Sequence, residues 1–311
     1  MDGGVPQKPK LVVALLDESQ EFQRLQAEDA KARAAESGVA VEVLFAENSA
    51  IFQIQQLYKV IQVPEETRPR AILVETVAGG GLERVAKAAV RAGIGWVLLN
   101  RKVPYIATLR EESGPAPVMT VSTDQLEIGR IQGRQIRALL PPGGREVLYV
   151  QGPSDTSAAQ ERLQGAREVL ENMGVDLKVL DGQWTEESGE QALERWLRLK
   201  RFDPVHVDVV ACQNDAMAVG ARRALVSASP EWSRCPFTGV DGLEEGGRRL
   251  VRAGQLTATV IVPSNTGPAV KIVAEALRAR AAVPERVLLQ PLSFPEVHVL
   301  VGDGPPAAPG S

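Results

Sequence analysis

Aromatic residues, histidine and cysteine are all scarce in this sequence. Phe, Trp and Tyr make up 4% of the 311 residues, while hydrophobic residues make up 44%. Cores must therefore be built from Val, Leu, Ala and Ile, which suits an α/β architecture better than an all-β one. Only two histidines occur, His206 and His298. Both fall beside or within expected strands, and neither pairs with a nucleophilic Ser or Cys, so the residues do not point to an enzyme. The two cysteines, Cys212 and Cys235, offer no Cys/His ligand spacing, and no metal or cofactor site is implied. Cys212 lies on an expected buried strand, where it acts as a small hydrophobe. Charge of neither sign dominates: 35 basic and 39 acidic residues give a formal net charge of −4, with no long basic run. Nucleic acid is not expected as a partner. No apolar run is long enough to span a membrane, and MDGGVPQKPK leads into the first strand without a signal-peptide core. On its own this implies either work in the cytoplasm or a leader already removed.

The length suggests about two domains. Strands and helices alternate along the chain. Strands are expected at 11–16, 41–45, 71–74, 96–100 and 118–121, with helices at 21–37, 51–60 and 82–92. Gly38 and Gly93 stand where helices should stop. The rhythm restarts with helices at 125–140, 158–173 and 188–199 and strands at 146–150 and 177–180. A strand at 207–212 follows, then a helix opened by Asp215 as N-cap. The strand 237–240, helix 243–253, strand 257–262 and helix 265–281 come next. A strand at 297–301 is expected to close the second sheet, and the Pro/Gly-rich segment 302–311 reads as an unstructured tail. The pattern predicts right-handed βαβ units and parallel sheets in two like halves.

In such sheets ligands bind at the carboxyl ends of strands. Polar and aromatic residues recur there: Gln20 and Phe22 after the first strand, Asn100-Arg101 after the fourth, and Trp184, Asn214 and Asp241 in the second half. Amide, guanidinium and carboxylate groups provide the mixed donors and acceptors that hydroxyls require, and an aromatic face can cover the C–H side of a sugar ring. Turn formation alone accounts for Asn214 and Asp215 equally well. The loop at 79–81, three glycines before a helix, lacks the rest of a phosphate-binding motif. Gly129 and Gly133, one turn apart, fit close helix packing.

Four stretches carry a family resemblance: VSTDQLEIGRIQGRQI (121–136), QGPSDTSAAQERLQGAREVL (151–170), ACQNDAMAVGARRAL (211–225) and GVDGLEEGGRRLVRAGQLTATV (239–260). Together they resemble the type I periplasmic sugar-binding proteins, near the ribose-binding group, and the effector-binding cores of LacI-type repressors. The resemblance covers about 10–300. It implies two doubly wound parallel-sheet domains joined by a three-stranded hinge, one of 1–121 plus 263–292 and the other of 122–262 plus 293–311. It also implies a non-catalytic receptor that closes on a sugar, polyol or related small molecule. Such a receptor is periplasmic and serves a membrane permease or chemoreceptor. The alternatives are a LacI-type regulatory core or a cytoplasmic sensor.

Carried over position by position, the resemblance places ligand contacts at Gln20, Phe22, Gln23, Asn100, Arg101, Gln160, Trp184, Asn214 and Asp241. Gln23 stands where the family has a second aromatic, Asn100 where it has a carboxylate, and Gln160 where it has an arginine, with Arg162 nearby. These exchanges imply that ribose is not bound in the family manner.

Overall fold

The computed structural model describes residues 8–200 and 206–301. The expected tail at 302–311 lies outside the described residues. In chain order the elements are β1 (Lys10–Leu15), α1 (Glu21–Ser37), β2 (Ala40–Phe45), α2 (Ala50–Ile61), β3 (Ala71–Val74), α3 (Glu83–Arg91), β4 (Gly95–Leu99), α4 (Ile106–Glu112) and β5 (Val118–Thr123). The second run is α5 (Gln125–Leu139), β6 (Glu146–Gln151), α6 (Ser157–Leu170), β7 (Asp176–Asp181), α7 (Glu186–Leu199), β8 (Val209–Cys212), α8 (Asp215–Ala228) and β9 (Phe237–Asp241). After a π-type turn at Glu244–Arg248 come α9 (Arg249–Arg252), β10 (Ala258–Ile261), α10 (Thr266–Ala279), β11 (Arg286–Leu289), β12 (Leu292–Phe294) and α11 (Val297–Leu300).

The chain divides into two compact units, 1–122 with 264–289 and 123–263 with 290–311. The exchange points come one residue later than expected at the first two crossings and three residues earlier at the third. The third differs because β12 begins at Leu292 and pairs with β10, which draws 290–292 into the second unit.

The first unit holds a six-stranded sheet in the order β11-β5-β4-β3-β1-β2. The pairings from β5 through β2 are parallel. β1 reads KLVVAL, and side-chain alternation sends its residues to both faces. Leu11, Val13 and Leu15 pack with α1 and α10, while Val12 and Ala14 pack with α2, α3 and α4. Burial on both faces explains why the strands read as nearly continuous apolar runs. Each fully buried Leu or Val side chain there stabilises by roughly 1.5–3 kcal/mol.

The second unit has the order β12-β10-β9-β8-β6-β7, parallel except for the antiparallel edge pair β10–β12. α7 and α8 cover one face through Leu193, Trp196 and Met217, and α5 and α6 cover the other through Ile136 and Ala166. α5 and α6 approach closely: a Cβ on Gly129 would run into the backbone of Arg162, and one on Gly165 into the carbonyl of Leu126. Gly129 and Gly133 are packing residues.

Several sequence expectations change. The run at 297–301 forms α11 rather than a strand, and the sheet is closed by Leu292–Phe294 instead. A short apolar run does not distinguish strand from helix, and here the edge position is already filled. The 243–253 helix is split by Gly246, whose φ of −106° and ψ of −111° are not helical. The cap of α8 is Asn214, whose Oδ1 accepts the Met217 N–H at 2.9 Å, and Asp215 is the first helical residue. β11, β12 and α4 are elements the pattern did not signal.

Candidate functional site

In the first unit β4, β3 and β1 are adjacent, and their carboxyl ends bring four of the relevant side chains together. The hub is Glu75, one residue past β3 and 2% exposed. Its Oε2 accepts from Gln23 Nε2 at 3.0 Å and its Oε1 from Asn100 Nδ2 at 3.2 Å. Arg101 Nε lies 3.7 Å from the same Oε1. The backbone carbonyl of Glu75 accepts from Gln53 Nε2, and Gln53 Oε1 accepts the Val77 N–H, so the strand end is tied to α2 as well. Gln23 also receives the Leu16 N–H on Oε1 at 3.1 Å. It therefore links β1 to Glu75 where the resemblance would have an aromatic ring.

Sequence reasoning missed Glu75. The family's carboxylate is absent at Asn100, and a carboxylate stands instead at the end of the neighbouring strand. The available signal was an acidic residue directly after a fully apolar strand. Phe22 is buried on the first turn of α1. Gln20 stands at the N-cap of α1, where its Nε2 reaches Asn48 Oδ1 at 3.5 Å, and Asn48 in turn donates to Asp17.

In the second unit the switch point lies between β6 and β8. Asn214, past the end of β8, caps α8 and donates from Nδ2 to the Trp184 carbonyl at 2.9 Å. The turn-forming role is thus real, and it also holds the backbone of Trp184. The guanidinium of Arg162 lies 5.4 Å from the Trp184 ring centroid, a cation–π distance. The indole lies against Gly152, where a Cβ would strike its six-membered ring.

Arg162 is buried, donating to Gln125 Oε1 at 2.7 Å and to the Gln213 carbonyl at 2.6 Å. Gln160 is exposed and donates to the Ser154 carbonyl. Where the resemblance has an arginine this chain has the exposed Gln160, and the buried guanidinium two residues later on α6 is that of Arg162. Asp241 ends β9 with its carbonyl accepting the Val262 N–H at 3.0 Å.

Three of these positions are among the seven non-glycine residues with positive φ in the described structure, the others being Glu47, Asn48, Asn172 and Arg280. Asn100, Trp184 and Asp241 have φ of 56°, 66° and 106°. Asn tolerates the left-handed region, whereas Trp in it, and Asp at a φ well beyond it, cost of order 1–3 kcal/mol each.

Other chemistry finds little support. Burial, aided by the Asp208 charge, pushes the Cys235 thiol up to about 12, and burial also pushes Cys212 well up, so both thiols stay protonated at neutral pH. Among the described residues no group of three or more His, Cys, Asp or Glu side chains could hold a metal ion. Among them, too, no helix is long and apolar enough to cross a membrane.

The model of the periplasmic binding protein domain matches residues 11–281. The chain belongs to the periplasmic binding protein family. Among curated relatives, the D-allose-binding periplasmic protein of Escherichia coli (strain K12) is 25% identical over 250 residues, 79% of this chain and 78% of that one. The ribose import binding protein RbsB of Salmonella typhimurium is 31% identical over 159 residues, 51% of each chain. Among solved structures, a Caulobacter myo-inositol binding protein bound to myo-inositol superposes with a TM-score of 0.78 at 23% identity, covering 94% of this chain and 95% of that one. That likeness establishes the fold of this periplasmic binding protein.

Proposed function

We propose that this periplasmic binding protein is a non-catalytic receptor for a neutral polyhydroxylated small molecule, a sugar or polyol. It would act outside the cytoplasmic membrane and deliver its ligand to a permease. The observation that carries the reading is charge compensation with amides at the strand ends. Glu75 stands beside Arg101 with Gln23 and Asn100, and Arg162 is stacked on Trp184 next to Asn214. Counting Asp241, the two carboxylates equal the two guanidinium groups in number, so the set carries no net charge to select an ion. They offer the donors and acceptors that ring hydroxyls need. The relatives named for D-allose and ribose, and the structure with myo-inositol, bind ligands of this class.

The groups proposed to meet the ligand are Phe22, Asn100, Arg101, Arg162, Trp184, Asn214 and Asp241. Gln160 is replaced in that role by Arg162. The pairing of Glu75 with Arg101 differs from an acidic-Arg pair on one strand.

Thermal unfolding with D-ribose, D-allose, myo-inositol, xylitol and ribose 5-phosphate tests the reading. A ligand at 100 times its Kd stabilises by about 2.7 kcal/mol, raising the midpoint by about 5–10 °C. At least one neutral compound should do so, and the phosphate ester should not. Arg162→Ala should abolish the shift while Gln160→Ala leaves it in place. A shift only with the anionic compound would refute the proposal.

A further inference from the structure

Asp215 belongs to none of the groups proposed to meet the ligand, yet its carboxylate is buried at the start of α8 with both oxygens engaged. Oδ2 accepts the Gly242 N–H at 2.8 Å, and Oδ1 accepts the Thr259 hydroxyl at 2.7 Å. Gly239 and Gly247 leave the room it fills: a Cβ on either would overlap its oxygens. Three segments of the second unit, α8, the β9 end and β10, therefore meet on one carboxylate.

The peptide between Asp241 and Gly242 is held at both ends. Its carbonyl accepts the Val262 N–H at 3.0 Å, and its N–H donates to Asp215. The next carbonyl, that of Gly242, accepts from Arg248 Nε at 3.0 Å. Fixing this peptide plane fixes ψ of Asp241 and φ of Gly242. Of these, ψ of Asp241 acts together with that residue's own φ and χ1 to set its side-chain direction. Asp241 has φ of 106°, a conformation that persists only when its surroundings impose it. Gly242, at φ 58°, passes close enough to Ile261 that a Cβ would lie 2.7 Å from its Cα.

We propose that Asp215 is the positioning residue for Asp241: its carboxylate locks the Asp241–Gly242 peptide so that the Asp241 side chain is presented to the ligand in one orientation. This inference rests on the reading that Asp241 meets a polyhydroxylated ligand. Asp215 itself is not assigned a ligand contact.

Two measurements test it together. Amide exchange at Gly242, followed in protein labelled with 15N-glycine, reports the clamp without ligand. Asp215→Ala should speed exchange by at least about 10-fold. Asp215→Asn, whose Oδ1 can accept from Gly242 while Nδ2 donates to Thr259 Oγ1, should stay within about 3-fold of the parent. Calorimetric titration with the tightest binder among D-ribose, D-allose, myo-inositol and xylitol reports the consequence.

Asp215→Ala should weaken binding by about 10-fold, because the ordering of Asp241 that the clamp supplies beforehand must then be met when ligand binds. In an Asp241→Ala background the same change should matter by less than about 3-fold, because residues acting through one another are not additive. If Asp215→Ala does not fold, Thr259→Val takes its place in the cycle, with an expected loss of about 3–10-fold.

Equal losses in both backgrounds, or unchanged Gly242 exchange, would overturn the assignment while leaving the receptor reading intact. No binding by any of the four compounds would overturn both.

Discussion

Replacing Glu75 by Ala is the sharpest test of the first unit's strand-end cluster. The carboxylate is 2% exposed and lies 3.7 Å from Arg101 Nε, itself 5% exposed. Removing it withdraws the negative partner from a buried guanidinium, which costs about 3–5 kcal/mol in comparable buried pairs. The amides of Gln23 and Asn100 lose their acceptor in the same step, so the estimate belongs at the upper part of that range. For a unit of this size each kcal/mol moves the midpoint by about 2–4 °C, so about 4–5 kcal/mol should lower it by about 8–20 °C. Glu75→Gln keeps an acceptor oxygen and loses the charge. Its fall should be smaller than that of the alanine variant. Scanning calorimetry, or circular dichroism with heating, reads both. If Glu75→Ala melts within about 2 °C of the parent, the carboxylate is not the hub of this cluster, and the charge-compensation argument fails with it.

Two further outcomes follow from the second unit. Gly129→Ala should destabilise by about 1–3 kcal/mol, because the added Cβ meets the backbone of Arg162, which cannot swing aside as a side chain can; urea unfolding measures it. The Asp208 carboxyl is pushed up by burial. The backbone N–H of Glu146, the His206 ring and the backbone N–H of Arg145 outweigh this and hold it below the usual carboxylate range. A depressed carboxyl contributes stability above its unfolded value of about 3.9, and that contribution is lost as pH falls through the folded value. Urea midpoints should therefore drop below about pH 4 in the parent, and Asp208→Asn should be less stable at pH 7 and flatter across the acid limb. An unchanged acid limb in that variant would contradict the assignment.

The sequence by itself determined the layout. Apolar runs such as LVVALL and ILV, separated by helical patterns and stopped by Gly38 and Gly93, leave few arrangements other than two parallel α/β units, because strands buried on both faces and crossover helices require each other. It also placed Asn100, Arg101, Trp184, Asn214 and Asp241 at strand ends, since chain order fixes which residue follows a strand. Tertiary structure decided which side chains share a partner. Glu75 joins Gln23, Asn100 and Arg101 only because β3 lies between β1 and β4. Arg162 rather than Gln160 reaches Trp184 because helical rotation between the two positions turns one inward and the other to solvent. The 297–301 run became a helix because another segment had taken the sheet edge. Asp215 found Gly242 and Thr259 across 27 and 44 residues of chain. Local propensity acts over a few neighbours, whereas these contacts depend on strand order and helix rotation, which exist only once the units have packed.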